Sequence, residues 1–218
     1  MLRKSVRGVG YSTSMQKQIL ASAVKIIANA VIVIGYALLI YACFLKYHTT
    51  GALNWLGLLI INSIFIAMYV ARRDATSISR SPALWLLAFA ATCLPLALRP
   101  TTPSSGIGIG NILQAAALVA VCGSILSLRR SFGIVPANRG VRTEGLYNLV
   151  RHPLYASELF WMLGFVIVNP SAWNVALWIF DCGLQFTRAC AEERFLGADP
   201  SYVQYRERVK YRLVPLVM

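Results

Sequence analysis

This sequence predicts an all-α integral membrane protein, a polytopic bundle of about six transmembrane helices, and three observations carry the prediction. Of its 218 residues 57% are hydrophobic and 13% charged, about half the charged share of a soluble domain. Its mean hydropathy is +0.61. The hydrophobic residues gather in six runs separated by polar or basic stretches. A soluble globule of this size could not cover that much apolar surface with so few charges, and a disordered chain would be polar.

Residues 1–20 form a basic tail with Arg3, Lys4, Arg7 and Lys17. The first apolar run, near 23–45, is too long for a signal-peptide core, and no small-residue cleavage site follows it. The others lie near 52–70, 82–98, 107–128, 153–169 and 171–189. Each approaches the ~20 residues that cross ~30 Å of hydrocarbon, the third and fifth being short. Pro103 to Gly106 reads as a loop. The glycines from Gly106 to Gly110 read as loop or close helix packing, because no strand precedes them as a nucleotide motif requires.

Lys and Arg set the orientation. Four lie in the tail, three in 71–81, five in 129–152 and six from Arg188 onward, making 18 on one side. The other side has Lys46 and Arg99 alone, and Lys25 sits at the edge of the first run. This asymmetry predicts that both termini are cytoplasmic, and it suits a bacterial inner membrane. The 21 basic against 8 acidic residues are therefore read as cytoplasmic loops rather than a nucleic-acid surface, since no basic polar domain is present. The five cysteines form no C-x-x-C and mostly sit in apolar runs, so they read as small hydrophobes. With His48 and His152 the only histidines, no histidine-rich metal site is available.

Residues 1–128 read as a membrane scaffold of about four spans, and 129–218 as the functional region. Acids inside spans are costly and mark function by default. The fifth run holds Glu158 and the sixth Asp181. Asp181, Gln185, Arg188 and Glu192 follow at spacings of four, three and four, on one helix face, with Glu193 one position round. The stripe suits either a polar cavity or a structural ion pair of Arg188 with Glu192. Counted from Pro153, Glu158 lies ~7 Å into its helix, a depth that Gln185 matches on the returning one.

Gly145 to His152 predicts a short helix ending before Pro153. His152 then suits the N-cap and Pro153 the first helical position, leaving a helix start able to receive an anion. In the tail, Tyr202, Tyr205, Val209 and Leu213 recur at helical spacing with Arg206, Arg208, Lys210 and Arg212 between them. This segment is expected to lie on the membrane surface and cap the pocket, its basic residues meeting anionic lipid headgroups.

Gly145-x-Tyr147-x-x-x-Arg151-His152-Pro153-x-Tyr155, Asn169-Pro170, Arg188-x-x-x-Glu192-Glu193-x-x-Leu196, Tyr202-x-x-Tyr205-x-x-x-Val209 and Pro215 follow in order. Together they resemble the membrane family of isoprenylcysteine carboxyl methyltransferases and phospholipid methyltransferases. Ser131 to Pro136 resembles its bacterial branch. The resemblance covers roughly 130–218. It implies S-adenosylmethionine as cofactor, entering from the cytoplasm, and a lipophilic or lipidated acceptor entering from the bilayer. It implies cofactor binding for Tyr147, His152, Pro153, Tyr155, Glu193 and Tyr202, and catalytic roles for Arg188 and Glu192. Ser157, where the family often has Gly, and Gly197 to Pro200 depart from the pattern and bear on a prenylated-protein acceptor rather than on the cofactor.

The chemistry is consistent with these residues. A methionine carboxylate suits the helix start at His152, and its ammonium suits Glu192 or Glu193. A carboxylate acceptor needs no base and suits a bidentate Arg188. An amine must lose a proton, which gives Glu158 or a tail carboxylate a base role. Two other readings compete. One is a membrane reductase of lipid double bonds using NADPH, for which no cytoplasmic glycine-rich phosphate motif is present. The other is a non-enzymatic scaffold or transporter, for which the first four spans offer no matching half.

Overall fold

The computed structural model describes residues 7–51, 53–101 and 108–215. Arg3, Lys4, most of the loop after Arg99 with Gly106, and the last three residues lie outside the described residues. The protein is all-α apart from one two-stranded ribbon. Its helices are α1 (Arg7–Thr50), α2 (Leu53–Ala71), α3 (Pro82–Cys93), α4 (Ile109–Leu128), α5 (Pro153–Val168), α6 (Ala172–Leu196) and α7 (Pro200–Arg208). The strands are β1 (Ser77–Ile78) and β2 (Ala137–Asn138).

Three boundaries differ from the sequence expectation. α1 starts at Arg7, so most of the basic tail is helical; proline is absent from this stretch, and Gln, Met, Leu and Ala favour helix. It ends at Gly51, whose φ of +65° is the left-handed turn that glycine tolerates. The third run is helical only to Cys93 and continues as a 3-10 turn over Leu94–Ala97, because Pro95 cannot donate to the ladder. The sixth helix runs on to Leu196, past the apolar stretch.

Among the described residues two helical stretches are long and apolar enough to cross a membrane alone, Asn29–Thr50 and Ile109–Ser131. Trp55–Ala71, Pro82–Ala97 and Pro153–Val168 are apolar but shorter. Pro153 and the Asn169-Pro170 turn fix the length of α5 at 16 residues, about 24 Å. The six-span expectation thus reduces, on length and apolarity among the described residues, to two candidate spans and three shorter apolar helices.

The helices pack about a core that includes Tyr36, Trp55, Phe65, Val121, Trp161 and Phe165. α4 lies closest to α5: a Cβ on Gly164 would come 2.7 Å from the Gly110 carbonyl oxygen and 2.6 Å from Gln114 Cγ. Gly110 is therefore a close-packing glycine, one of the two roles expected of it. Cys43 is buried as expected, but Cys93 is exposed; all five cysteines are free.

The interhelical segments cluster by end. At one end Asn174 clamps the chain after α3, its Nδ2 donating to Arg99 O at 2.8 Å and its Oδ1 accepting from Arg99 N at 3.0 Å. Lys46 donates to Leu96 O at 2.8 Å beside it. At the other end β1 pairs antiparallel with β2, Ser77 opposite Asn138 and Ile78 opposite Ala137. This ribbon, with Arg73 N donating to Arg130 O at 2.7 Å, ties together two loops that the charge pattern assigns to one side.

Candidate functional site

Gly145, at φ +61°, turns the chain into a single 3-10 turn over Gly145–Asn148. The short helix expected before Pro153 is no more than this turn. Pro153 does open α5 and His152 does take its N-cap, but the histidine side chain makes no capping bond. Backbone pairing accounts for the difference: Arg151 N and His152 N donate to Tyr211 O and Arg212 O, each at 2.9 Å. The tail correspondingly leaves the helix at Arg208, and Val209 to Arg212 runs back along the Arg151-His152 pair.

Glu193 fastens this junction. Its Oε1 accepts from Arg151 Nε at 2.8 Å and from Arg212 Nε at 3.0 Å, and it lies 3.2 Å from His152 Nε2. Its Oε2 accepts from Arg212 Nη2 at 2.9 Å. Burial works against the charged carboxylate. The hydrogen bonds from His152, Arg212 and Arg151 outweigh it and hold the carboxyl well below the usual range. Arg151 Nη1 also donates to Val209 O and Lys210 O. Arg212, read from the sequence as a lipid-facing cation, is thus committed within the protein.

An open cavity of about 80 Å³ lies beside this junction. Tyr147, His152, Tyr155, Glu192 and Tyr202 line it, five of the nine site residues expected from the sequence. The Tyr155 ring stacks on His152 with centroids 5.4 Å apart and planes 4° from parallel. Its hydroxyl donates to Glu192 Oε2 at 2.8 Å, and His152 Nδ1 lies 3.8 Å from the same oxygen. Tyr205 hydroxyl donates to Tyr147 O at 2.8 Å, fastening α7 to the Gly145–Asn148 turn beside the cavity.

Two polar atoms on the cavity wall residues are buried without a partner, Tyr202 Oη and Arg139 Nη1. Burial first, then the nearby Glu193 and Glu192, push the Tyr202 hydroxyl up, so it stays a donor. Burial, with Arg72 adding repulsion, draws Arg139 down to about 10, which leaves it charged at neutral pH. Arg139 is the residue that sequence reading missed. It counted only as one basic loop residue, although Gly133 and Gly140 frame it; a Cβ on Gly133 would collide with its guanidinium.

The remaining expected residues sit elsewhere. Pro153 is buried in the first turn of α5, and Glu193 faces the junction rather than the cavity. Arg188 lies deeper, its guanidinium 4.6 Å above the Tyr155 ring. Nη1 donates to Gln185 Oε1 at 3.1 Å and Nη2 to Ile134 O at 3.2 Å. Among the described residues it forms no ion pair with Glu192. Gln185 Nε2 donates to Glu158 Oε2 at 2.9 Å, so the equal depth expected of these two holds. Glu158, Gln185 and Asp181 line a second cavity of about 40 Å³.

A polar chain therefore links the two cavities, from Glu158 through Gln185, Arg188 and Tyr155 to Glu192. The chain as a whole matches no protein-family model and no curated protein.

Proposed function

We propose that the protein is a membrane methyltransferase that uses S-adenosylmethionine to methylate a lipophilic acceptor, a carboxylate or an amine. One observation carries this reading. Tyr147, His152, Tyr155, Glu192 and Tyr202, chosen from separate motifs, surround one cavity, and two of its lining residues, Tyr202 and Arg139, each carry a buried polar atom without a partner among the described residues.

The residues present suit the cofactor. The Arg139 guanidinium, which lines the cavity, would hold a carboxylate. Glu192 would face the ammonium or sulfonium cation, an attraction strengthened by the low-dielectric surroundings. The Tyr202 hydroxyl would donate to an ether, hydroxyl or ring nitrogen. When bound, S-adenosylmethionine supplies an electrophilic methyl group on sulfur. The chain's own work is to orient and to exclude water: His152 stiffens Tyr155 by stacking, Tyr155 fixes Glu192 by its hydrogen bond, and Tyr205 fastens α7 beside the cavity.

The same reading makes the helices a six-span bundle with both termini cytoplasmic, in a bacterial inner membrane. In its favour, exposed side chains include Ile34, Leu38, Val119, Leu126, Ile179 and Phe180, while Asp181, Gln185 and Arg188 turn inward. Lipid explains such an inversion. The shorter helices need only local thinning of the bilayer.

The test is calorimetric titration of S-adenosylhomocysteine into detergent-purified protein, with Arg139→Gln alongside. Saturable binding that the substitution weakens is the expected result. Absence of binding by a folded protein would overturn the proposal.

A further inference from the structure

The second cavity differs in chemistry from the first. Its apolar wall includes Leu58, Ile61, Phe65 and Trp161. Its polar floor carries two acids. Asp181 is 2% exposed, and its Oδ1 has no hydrogen-bond partner. Glu158 accepts from Gln185 Nε2. Among the described residues neither acid is in an ion pair. A buried carboxylate without a countercharge is costly, and at membrane depth it marks a functional position.

Arg188 is the cation nearest this floor in the polar chain, and its fork is already in use. Nη1 is on Gln185, Nη2 is on the Ile134 carbonyl, and one face covers Tyr155. A carboxylate arriving here would meet two acids, and a guanidinium whose Nη1 and Nη2 already donate to Gln185 and Ile134. An ammonium would meet an orphaned carboxylate oxygen and Glu158, forming charge-assisted bonds to both.

We infer that this cavity binds the ammonium head of a lipophilic amine, and that the methyl acceptor is therefore an amine. The second clause rests on the methyltransferase reading; the binding site does not. Glu158 lies one turn beyond Tyr155 on α5, about 4.5 Å along the axis, so an amine held there lies about one helical turn from the Tyr155 side of the first cavity. The ammonium first gives one N–H proton to Glu158. The freed nitrogen lone pair then forms the N–CH3 bond, while the CH3–S bond breaks and its electron pair stays on sulfur. The sulfonium becomes a neutral thioether, and the methylated nitrogen takes up the positive charge.

Dodecylamine and dodecanoate share a tail and differ in head charge, so they form the test pair. Each is titrated into the full chain in phosphatidylcholine nanodiscs, with S-adenosylhomocysteine binding measured on the same samples. Wild type is compared with Asp181→Asn and Glu158→Gln, and thermal melting checks each variant's fold. The amine is expected to bind saturably and the acid not. Each substitution is expected to weaken the amine by about tenfold or more, the loss of one charged hydrogen bond. If Asp181→Asn does not fold, Glu158→Gln reads the same site. Equal binding of both amphiphiles, or amine binding indifferent to the substitutions, overturns the inference and leaves S-adenosylhomocysteine binding untouched. Saturable, substitution-sensitive amine binding by a protein that ignores S-adenosylhomocysteine keeps the site and sinks the methyltransferase reading instead.

Discussion

Arg151 donates from Nε to Oε1 of Glu193 across 2.8 Å, with side chains 8% and 7% exposed. The pair joins the start of α5, the end of α6 and the returning tail. Removing one member of such a buried pair leaves the other uncompensated, at a cost of about 3–5 kcal/mol. Glu193→Ala is expected to lose this much, read as a fall in the denaturation midpoint in detergent. Arg212→Ala should lose less, since Arg212 is 23% exposed and water can replace part of its bond. Equal losses from the two would contradict this ordering.

The same carboxylate predicts a pH dependence. Its folded-state pKa lies below the ordinary carboxyl value, so its contribution is complete above the unfolded pKa of about 4.3 and is lost as pH falls through the folded value. Melting temperatures of wild type and Glu193→Gln should differ by a constant gap from neutral pH to about 5, which narrows in more acid solution. A gap that widens on acidification would refute the sign.

The parts of this site that were legible in the sequence are those written in local signals. Pro153 marks the start of α5. The four-three-four spacing from Asp181 to Glu192 predicts the inward face, and counting residues from Pro153 brings Glu158 level with Gln185. What was hidden depends on pairing between distant segments that carry no periodicity. Two-residue strands at Ser77 and Ala137 have no alternation to detect. The extended run from Val209 looked helical because its apolar spacing continues that of α7, yet the partners it needs are the N–H groups of Arg151 and His152. Arg139 was invisible for the same reason, since its burial follows from the ribbon and from Gly133.

Tyr202 offers a test that separates binding from folding. Its hydroxyl is buried and has no partner among the described residues. Tyr202→Phe therefore removes no internal bond and should leave the melting temperature unchanged or raised. If the hydroxyl serves the ligand, S-adenosylhomocysteine affinity falls by about 2- to 12-fold, the range for one net hydrogen bond. Unchanged affinity with unchanged stability would exclude Tyr202 from the site.

Sidedness can be read with reporters. Alkaline phosphatase, active only outside the cytoplasm, should be inactive when fused at the C-terminus and active when fused after Arg99. The basic loops joined by the β1–β2 ribbon and the single Arg99 near the Asn174 clamp motivate this outcome. The reverse pattern would invert the orientation and place the first cavity on the wrong face for a cytoplasmic cofactor.

The last prediction concerns how closely α4 and α5 approach. At Gly164 an added Cβ would sit 2.6 Å from Gln114 Cγ, 2.7 Å from Gly110 O and 3.0 Å from Gln114 N. Two of these atoms are backbone, so the helices themselves must separate. Gly164→Ala is expected to cost about 1–3 kcal/mol, the range for overpacking a tight core. Separation would also shift Pro153 and His152, which lie on the same helix toward the site. S-adenosylhomocysteine affinity should then fall along with stability. Gly183→Ala is the control: a Cβ there meets nothing within 4 Å, so alanine should stabilise α6 slightly through helix propensity. If Gly164→Ala melted with wild type, the close approach of the two helices would be refuted. If it lost stability alone, helix spacing and the site would be uncoupled.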